Sequence, residues 1–246
     1  MIYYPQCRRR LAPCTLRITK EQPTAAKGIE RFLCIRRGQL HRKRRQKHME
    51  ILERNAPCWC GSGKKYKKCH EAFDEKLKMY ENKGVLIPSH EIIKTSSQIE
   101  KIRESAKINI AVLDYVAEHI QPGVTTQEID DWVYKITTEA GGIPAPLDYE
   151  GYPKSVCTSI NDQVCHGIPS EEVTLKEGDI VNVDVSTILD GYFSDSSRMF
   201  CIGDVGTEKQ RLVDVTKECV EKGLEQVKPW GFLGDMSQAV YDHAHA

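Results

Sequence analysis

The chain has 246 residues, with 35 Lys and Arg against 35 Asp and Glu, and 10 Cys. That length allows one or two domains, and no apolar run is long enough to cross a bilayer as a helix. The Cys spacing argues against a disulfide framework: three lie before residue 48, three in one tight cluster, and four are scattered, a pattern that fits a reducing compartment with one metal cluster.

The neutral total hides an asymmetry. Residues 1–48 carry 14 Lys and Arg against 2 Asp and Glu, and the remainder carries 21 against 33. The leader has basic runs at Arg8-Arg9-Arg10 and Arg42-Lys43-Arg44-Arg45 and little periodicity. Three readings compete for it. It suits an Arg-rich, acid-poor transit peptide, a disordered arm for RNA or ribosome binding, or translated upstream sequence with the start at Met49. The last is favoured because Met49-Glu50-Ile51-Leu52 opens a well-formed module directly.

That module, residues 49–73, contains Cys58-Trp59-Cys60, eight intervening residues, then Cys69-His70. Four soft or borderline ligands in so short a span suit a closed, tetrahedral structural zinc. Gly61 and Gly63 permit the tight turn that folds the second ligand pair onto the first. Zinc would supply most of the folding free energy of such a small piece. Lys64, Lys65, Lys67 and Lys68, with Tyr66 between them, form a basic rim with an aromatic, suited to rRNA or an acidic protein surface. A merely solvated basic face explains the same residues. Glu71 to Gly84 reads as a charged helix or linker, and residues 74–90 as the connection to the next domain.

Residues 91–246 alternate helix and strand signals. Ser97-Gln98-Ile99-Glu100 is a capping box, opening a helix with Ile99, Ile102, Ala106, Ile110, Leu113 and Ile120 on one face. Pro122-Gly123 ends it. Thr125-Thr126-Gln127-Glu128 is a second capping box, for a helix carrying Ile129, Trp132, Val133 and Ile136. Strands are predicted at Ser155–Ser159, Ile180–Leu189 and Tyr192–Cys201, and a helix at Glu208–Val227. Helices on one face of an antiparallel sheet make an α+β layer. A weak internal repeat aligns Glu118 with Glu225, Pro122 with Pro229, Ile129 with Met236, and Val133-Tyr134 with Val240-Tyr241. The second copy breaks off within its helix, so the chain is expected to be the N-terminal part of a longer protein.

Asp190-Gly191 between two alternating runs is a strong hairpin signal. A two-residue turn pairs Leu189 with Tyr192 and Ser186 with Asp195. Asp184 and Asp195 then share one face as diagonal neighbours, roughly 7–8 Å apart at the backbone. Two carboxylates that close repel unless a proton or a cation joins them, and a hard divalent cation is the economical answer. Two solvated Asp on an exposed face are the plain alternative.

Upstream stands Gly151-Tyr152-Pro153-Lys154-Ser155-Val156-Cys157, continuing to Val164-Cys165-His166-Gly167-Ile168-Pro169. This run, with the Asp184…Asp195 hairpin and Ser197-Arg198-Met199-Phe200, closely resembles type I methionine aminopeptidase from about Pro88 onward. The Cys58–His70 module resembles the SEC-C zinc motif, which also heads some bacterial members of that family. The resemblance implies a pita-bread fold, of which this chain holds the first half. It implies metal-dependent removal of the initiator Met from nascent polypeptides by a cytoplasmic monomer with no membrane association. Two divalent ions are implied, and Mn, Fe, Co and Zn all suit so carboxylate-rich a site. By the same resemblance Asp184 and Asp195 are metal ligands, with Asp195 bridging. His166 contacts the substrate near the scissile amide as the catalytic histidine. Tyr152 and Cys157 line the Met pocket, with Tyr149 at its rim. The family's remaining ligands, one His and two Glu, lie downstream of these 246 residues, so this chain alone is expected to be inactive. The competing readings are a non-catalytic adaptor that docks on a ribosome or translocon through the zinc module, and a different pita-bread peptidase.

Overall fold

The computed structural model describes residues 51–246; the basic leader and the readings of it lie outside the described residues. The described residues form two compact units, divided between Ile93 and Lys94.

In the small unit, the chain doubles back between Pro57 and Lys65. The Cys58 amide donates to Lys64 O at 2.9 Å and the Tyr66 amide to Ala56 O at 2.9 Å. Gly61 and Gly63 both take positive φ, 73° and 72°, which a side chain would resist. A short 3-10 turn at Tyr66–Lys68 leads into α1 (Glu71–Asn82), so the expected charged segment is a helix for most of its length. Arg54, in the turn that precedes the cysteine motif, is tied to the start of α1 through Glu71, at 2.7 Å.

The large unit is organised by its hairpin. Asp190 and Gly191 both have positive φ, 50° and 79°, the geometry that matches a two-residue turn to strand twist. Strands β3 (Ile180–Leu189) and β4 (Tyr192–Cys201) therefore pair with Leu189 opposite Tyr192 and Ser186 opposite Asp195. On its other edge β3 pairs with two short strands, β1 (Ile143–Pro144) and β2 (Cys157–Ile160), and all neighbours are antiparallel. Strand β2 starts two residues later than predicted. Ser155 lies outside it because its amide donates to Asp130 Oδ1 at 2.6 Å instead of entering the ladder.

Alternation along β3 sends Val181, Val183 and Val185 to one face, all fully buried. That face packs on α2 (Ser96–His119), with α3 (Thr126–Glu139) beside it. Ile108, Val112 and Val116 of α2 and Ile129 and Val133 of α3 complete the core, each burial stabilising by about 1.5–3 kcal/mol. Polar contacts fix how α2 lies on the sheet. Ser105 Oγ donates to Thr187 O at 3.0 Å, Asn109 Nδ2 to Val185 O at 3.0 Å, and Arg198 reaches Leu113 O and Asp114. Helix α2 begins earlier than the Ser97 box predicts. Thr95 is the cap: its hydroxyl accepts from the Gln98 amide, and the Gln98 side chain accepts from the Thr95 amide, because Thr-x-x-Gln is an equally good box. The Thr125–Glu128 box forms as predicted.

Two more helices follow, α4 (Gly206–Glu225) and α5 (Leu233–Ala244), packed on each other. The weak repeat is visible here: Ile129 and Met236 are each the fourth residue of the second helix in their pair. Ile129 is fully buried, while Met236 is only half-buried.

Candidate metal centres

The turn of the small unit brings four ligand atoms together. Those of Cys58, Cys60, Cys69 and His70 all lie within 4.8 Å of one another. His70 Nδ1 stands 3.2 Å from both Cys58 Sγ and Cys69 Sγ, and Cys60 Sγ is 3.6 Å from Cys69 Sγ. A tetrahedral zinc with ordinary bond lengths sets such edges at about 3.5–3.8 Å, so three thiols and one imidazole fit a zinc-type ion with little adjustment. Burial pushes the Cys58 thiol up to about 11, while the Ser62 hydroxyl draws Cys60 down to about 6. The first favours a thiol without metal, the second a thiolate ready to coordinate.

The basic rim differs from expectation in one respect. Lys64, Lys65, Lys67 and Lys68 are exposed, but Tyr66 is 1% exposed. Its hydroxyl donates to Asp74 Oδ2 at 2.8 Å, so the ring packs the module and is not offered for stacking on a base. Nothing local to the cysteine motif marks Asp74, which is fully buried and lies beyond that motif, in the stretch expected to connect the domains. His90 of that stretch also contacts it, at 3.0 Å.

The second candidate site sits on the sheet face opposite the α2 layer. Register places Cys157 directly opposite Asp184 on β2, and Ser197 opposite Asp184 on β4. Asp195 is therefore the diagonal neighbour of Asp184 on the same face. Ser186 Oγ donates to Asp195 Oδ1 at 3.0 Å and orients it. Burial raises the Asp184 carboxyl above its ordinary range, and the Asp195 charge raises it further, with His166 opposing. Asp184 is half-buried and Asp195 exposed.

His166 rides on the loop between β2 and β3, in a left-handed conformation with φ 56°. Gly167 beside it is locked down: Thr158 donates its amide to Gly167 O at 2.8 Å, and Gly167 donates its own to Ser159 Oγ at 3.2 Å. A Cβ at Gly167 would lie 1.9 Å from Thr158 O, so only glycine fits. The Tyr152 hydroxyl reaches Val156 O at 3.0 Å and Gly167 O at 3.2 Å. Burial raises both the Tyr152 hydroxyl and the Cys157 thiol above their ordinary ranges. Tyr152, Cys157, His166, Asp184 and Asp195 are thus brought to one region. Tyr149 is exposed on a short 3-10 turn, Tyr149–Gly151. Sequence reasoning missed Asp130, whose buried carboxylate holds the loop between Tyr152 and Cys157 through the Ser155 amide, with Gln127 and Lys154 at its side.

Chemically the two sites differ. Among the described residues, Cys58, Cys60, Cys69 and His70 are the only group of three or more such ligands that converge. Asp184 and Asp195 are a pair of hard oxygen donors, right in kind for divalent ions but two in number.

Residues 100–246 match the model of metallopeptidase family M24. The chain belongs to that family. Residues 54–72 match the SEC-C motif. This M24 chain is 48% identical over 149 residues to methionine aminopeptidase A of Synechocystis, covering 61% of this chain and 59% of that protein. It is 45% identical over 152 residues to a methionine aminopeptidase of Rickettsia prowazekii, covering 62% of this chain and 58% of that protein. The chain thus spans less than two thirds of the length of either relative. A crystal structure of methionine aminopeptidase from Rickettsia prowazekii superposes with a TM-score of 0.61 over 62% of this chain and 61% of that one. Prolidase from Pyrococcus furiosus superposes at 0.54 with 19% identity, over 63% of this chain and 44% of that one, a likeness of fold alone. The resemblance seen in the Cys-His-Gly-Ile-Pro run and the hairpin is that of the family, and the sheet and helices are part of its pita-bread fold.

Proposed function

We propose that residues 94–246 supply the first part of a methionine aminopeptidase site, in a cytoplasmic protein that removes the initiator Met from nascent chains. The observation that carries this reading is register: Cys157 is the cross-strand partner of Asp184 on one side, Asp195 is the diagonal neighbour of Asp184 on the other, and His166, next to the tightly held Gly167, is close enough to act on the Asp184 carboxyl. Relatives named methionine aminopeptidase at 48% and 45% identity support it.

Asp184 and Asp195 would hold two divalent ions, which supply an activated water and polarise the scissile carbonyl when bound. Ser186 keeps Asp195 aimed at the shared position. His166 donates a hydrogen bond to the reacting amide and steadies the charge that develops on its oxygen. Tyr152 and Cys157 present an aromatic ring and a soft thiol to the thioether of Met, and Tyr149 stands at the rim. Two carboxylates alone position no water, so these 246 residues by themselves are inactive in this reading. The small unit holds one structural zinc.

The test is a chimera in which residues 94–246 replace the matching part of the Rickettsia prowazekii enzyme. With Mn(II) or Co(II) it is expected to release Met from Met-Ala-Ser, and Asp195→Asn is expected to abolish that release. Cleavage of Xaa-Pro dipeptides without release of Met from Met-Ala-Ser, by a folded chimera, would place the chain with other pita-bread peptidases. One observation favours a second role alongside the first: four exposed lysines on the SEC-C turn form a basic face, suited to docking on rRNA or an acidic protein surface. Co-sedimentation of the zinc-loaded chain with ribosomes, lost in the Lys64→Ala/Lys65→Ala/Lys67→Ala/Lys68→Ala variant, tests it.

A further inference from the structure

The buried Asp74 carboxylate is the meeting point of three donors from three parts of the small unit. Trp59 Nε1 donates to Oδ2 at 3.0 Å, the Tyr66 hydroxyl to Oδ2 at 2.8 Å, and His90 Nε2 to Oδ1 at 3.0 Å. A carboxylate with no solvent exposure is tolerable only when its lone pairs are satisfied, so these donors stand or fall together. Trp59 links this hub to the ligand cluster. It sits between Cys58 and Cys60 in sequence, its ring lies 4.5 Å from that of His70, and it stacks on His90 at 4.2 Å with 13° between the planes. His90 lies well outside the matched SEC-C residues, 54–72.

We propose that Asp74 is a positioning residue of the metal site, and that through it metal loading orders the chain as far as His90. This rests on the reading that Cys58, Cys60, Cys69 and His70 bind a metal ion. Loading fixes the ligands on either side of Trp59 and so sets its indole N–H on Asp74. Asp74, thus anchored, offers its second oxygen to His90, and Trp59 offers its ring. The working module is therefore longer than its motif, with a carboxylate and a histidine of the following segment built into it. Asp74 touches no ligand atom; it acts through Trp59, as outer partners of metal ligands do.

The experiment uses the whole 246-residue chain with Co(II) and Zn(II) as probes. Wild type is expected to show the intense visible absorption of tetrahedral thiolate-bound Co(II), absent from a Cys58→Ser/Cys60→Ser control. Its zinc form is expected to show a slowly exchanging Trp59 indole proton that is lost on chelation. Asp74→Asn is expected to weaken Co(II) on the order of tenfold and to speed exchange of that proton. His90→Gln removes the third donor and is expected to loosen Trp59 and to weaken Co(II), by less than Asp74→Asn does. Should Asp74→Asn fail to fold, Trp59→Phe removes one donor, keeps the other two, and is expected to weaken Co(II) similarly. Undiminished Co(II) affinity in the variant, or a Trp59 indole proton unmoved by chelation, overturns the proposal while the metal reading stands. Absence of the thiolate spectrum in wild type overturns both.

Discussion

In the small unit, a metal ion would hold the fold together; in the large unit, the fold holds the candidate ligands in place. The buried side chains of the small unit are few: Cys58, Tyr66, Asp74 and Leu77, and Cys58 is itself a candidate ligand. The large unit buries a continuous cluster from Ile108 to Ile202 that draws on α2, α3 and the sheet. Its carboxylate pair is placed by strand register, which that core fixes with or without metal. Two candidate metal sites in one chain therefore stand in opposite relations to folding.

The largest expected effect follows directly. Chelation at neutral pH is expected to abolish amide-exchange protection across residues 54–82 while residues 94–246 keep theirs, because structural zinc supplies about 10–16 kcal/mol to folds of this kind. Hydrogen-exchange mass spectrometry reads both regions in one sample. Retained protection in the small unit would mean that its few buried side chains suffice, and the contrast would fail.

A substitution should break the large unit and spare the other. Gly167→Ala places a Cβ against Thr158 O, at 1.9 Å, where backbone must move on both sides. A destabilisation of about 3 kcal/mol is expected, seen as a lower urea midpoint for the large unit. Co(II) binding by the small unit is expected to be unchanged.

These differences also explain what was legible in the sequence. Ligands 12 positions apart, Cys58 to His70, announce themselves by spacing because a short loop leaves them few arrangements. The β3–β4 hairpin was equally readable, since Asp190-Gly191 dictates the turn and the turn dictates the register. Asp74 and Asp130 were not readable. Each is an acid on a helix, and only tertiary packing shows that one collects three donors and the other caps the Ser155 amide. The start of α2 was misplaced for a subtler reason: Thr95-x-x-Gln98 and Ser97-x-x-Glu100 are both capping boxes in sequence, and nothing local ranks them.

That ambiguity gives a smaller test. Thr95→Ala is expected to cost about 1 kcal/mol in the large unit, and Thr125→Ala the same, each read as a lower denaturation midpoint. Ser97→Ala, inside the helix, is expected to change little. A larger loss at Ser97 than at Thr95 would restore the later start of α2.

The smallest effect tests the claim that the fold imposes the carboxylate pair. Without metal, burial and the Asp195 charge hold the Asp184 carboxyl above its ordinary value of 3.8. The folded chain then binds more protons than the unfolded chain between 3.8 and that raised value. Stability falls as pH climbs through this window, and the loss is complete above it. Asp195→Asn removes the like charge and keeps an oxygen for the Ser186 hydroxyl. The metal-free variant is therefore expected to exceed wild type by about 0.5 kcal/mol at neutral pH, a value discounted for solvent screening. The gain should vanish at a pH below 3.8. Excess Mn(II) should reverse the order, because a cation that binds the folded pair stabilises wild type and not the variant. Urea denaturation of the large unit at the two pH values, with and without Mn(II), measures all three. A variant less stable than wild type at neutral pH without metal would show that the two carboxylates are not held in mutual repulsion, and that register alone does not make this site.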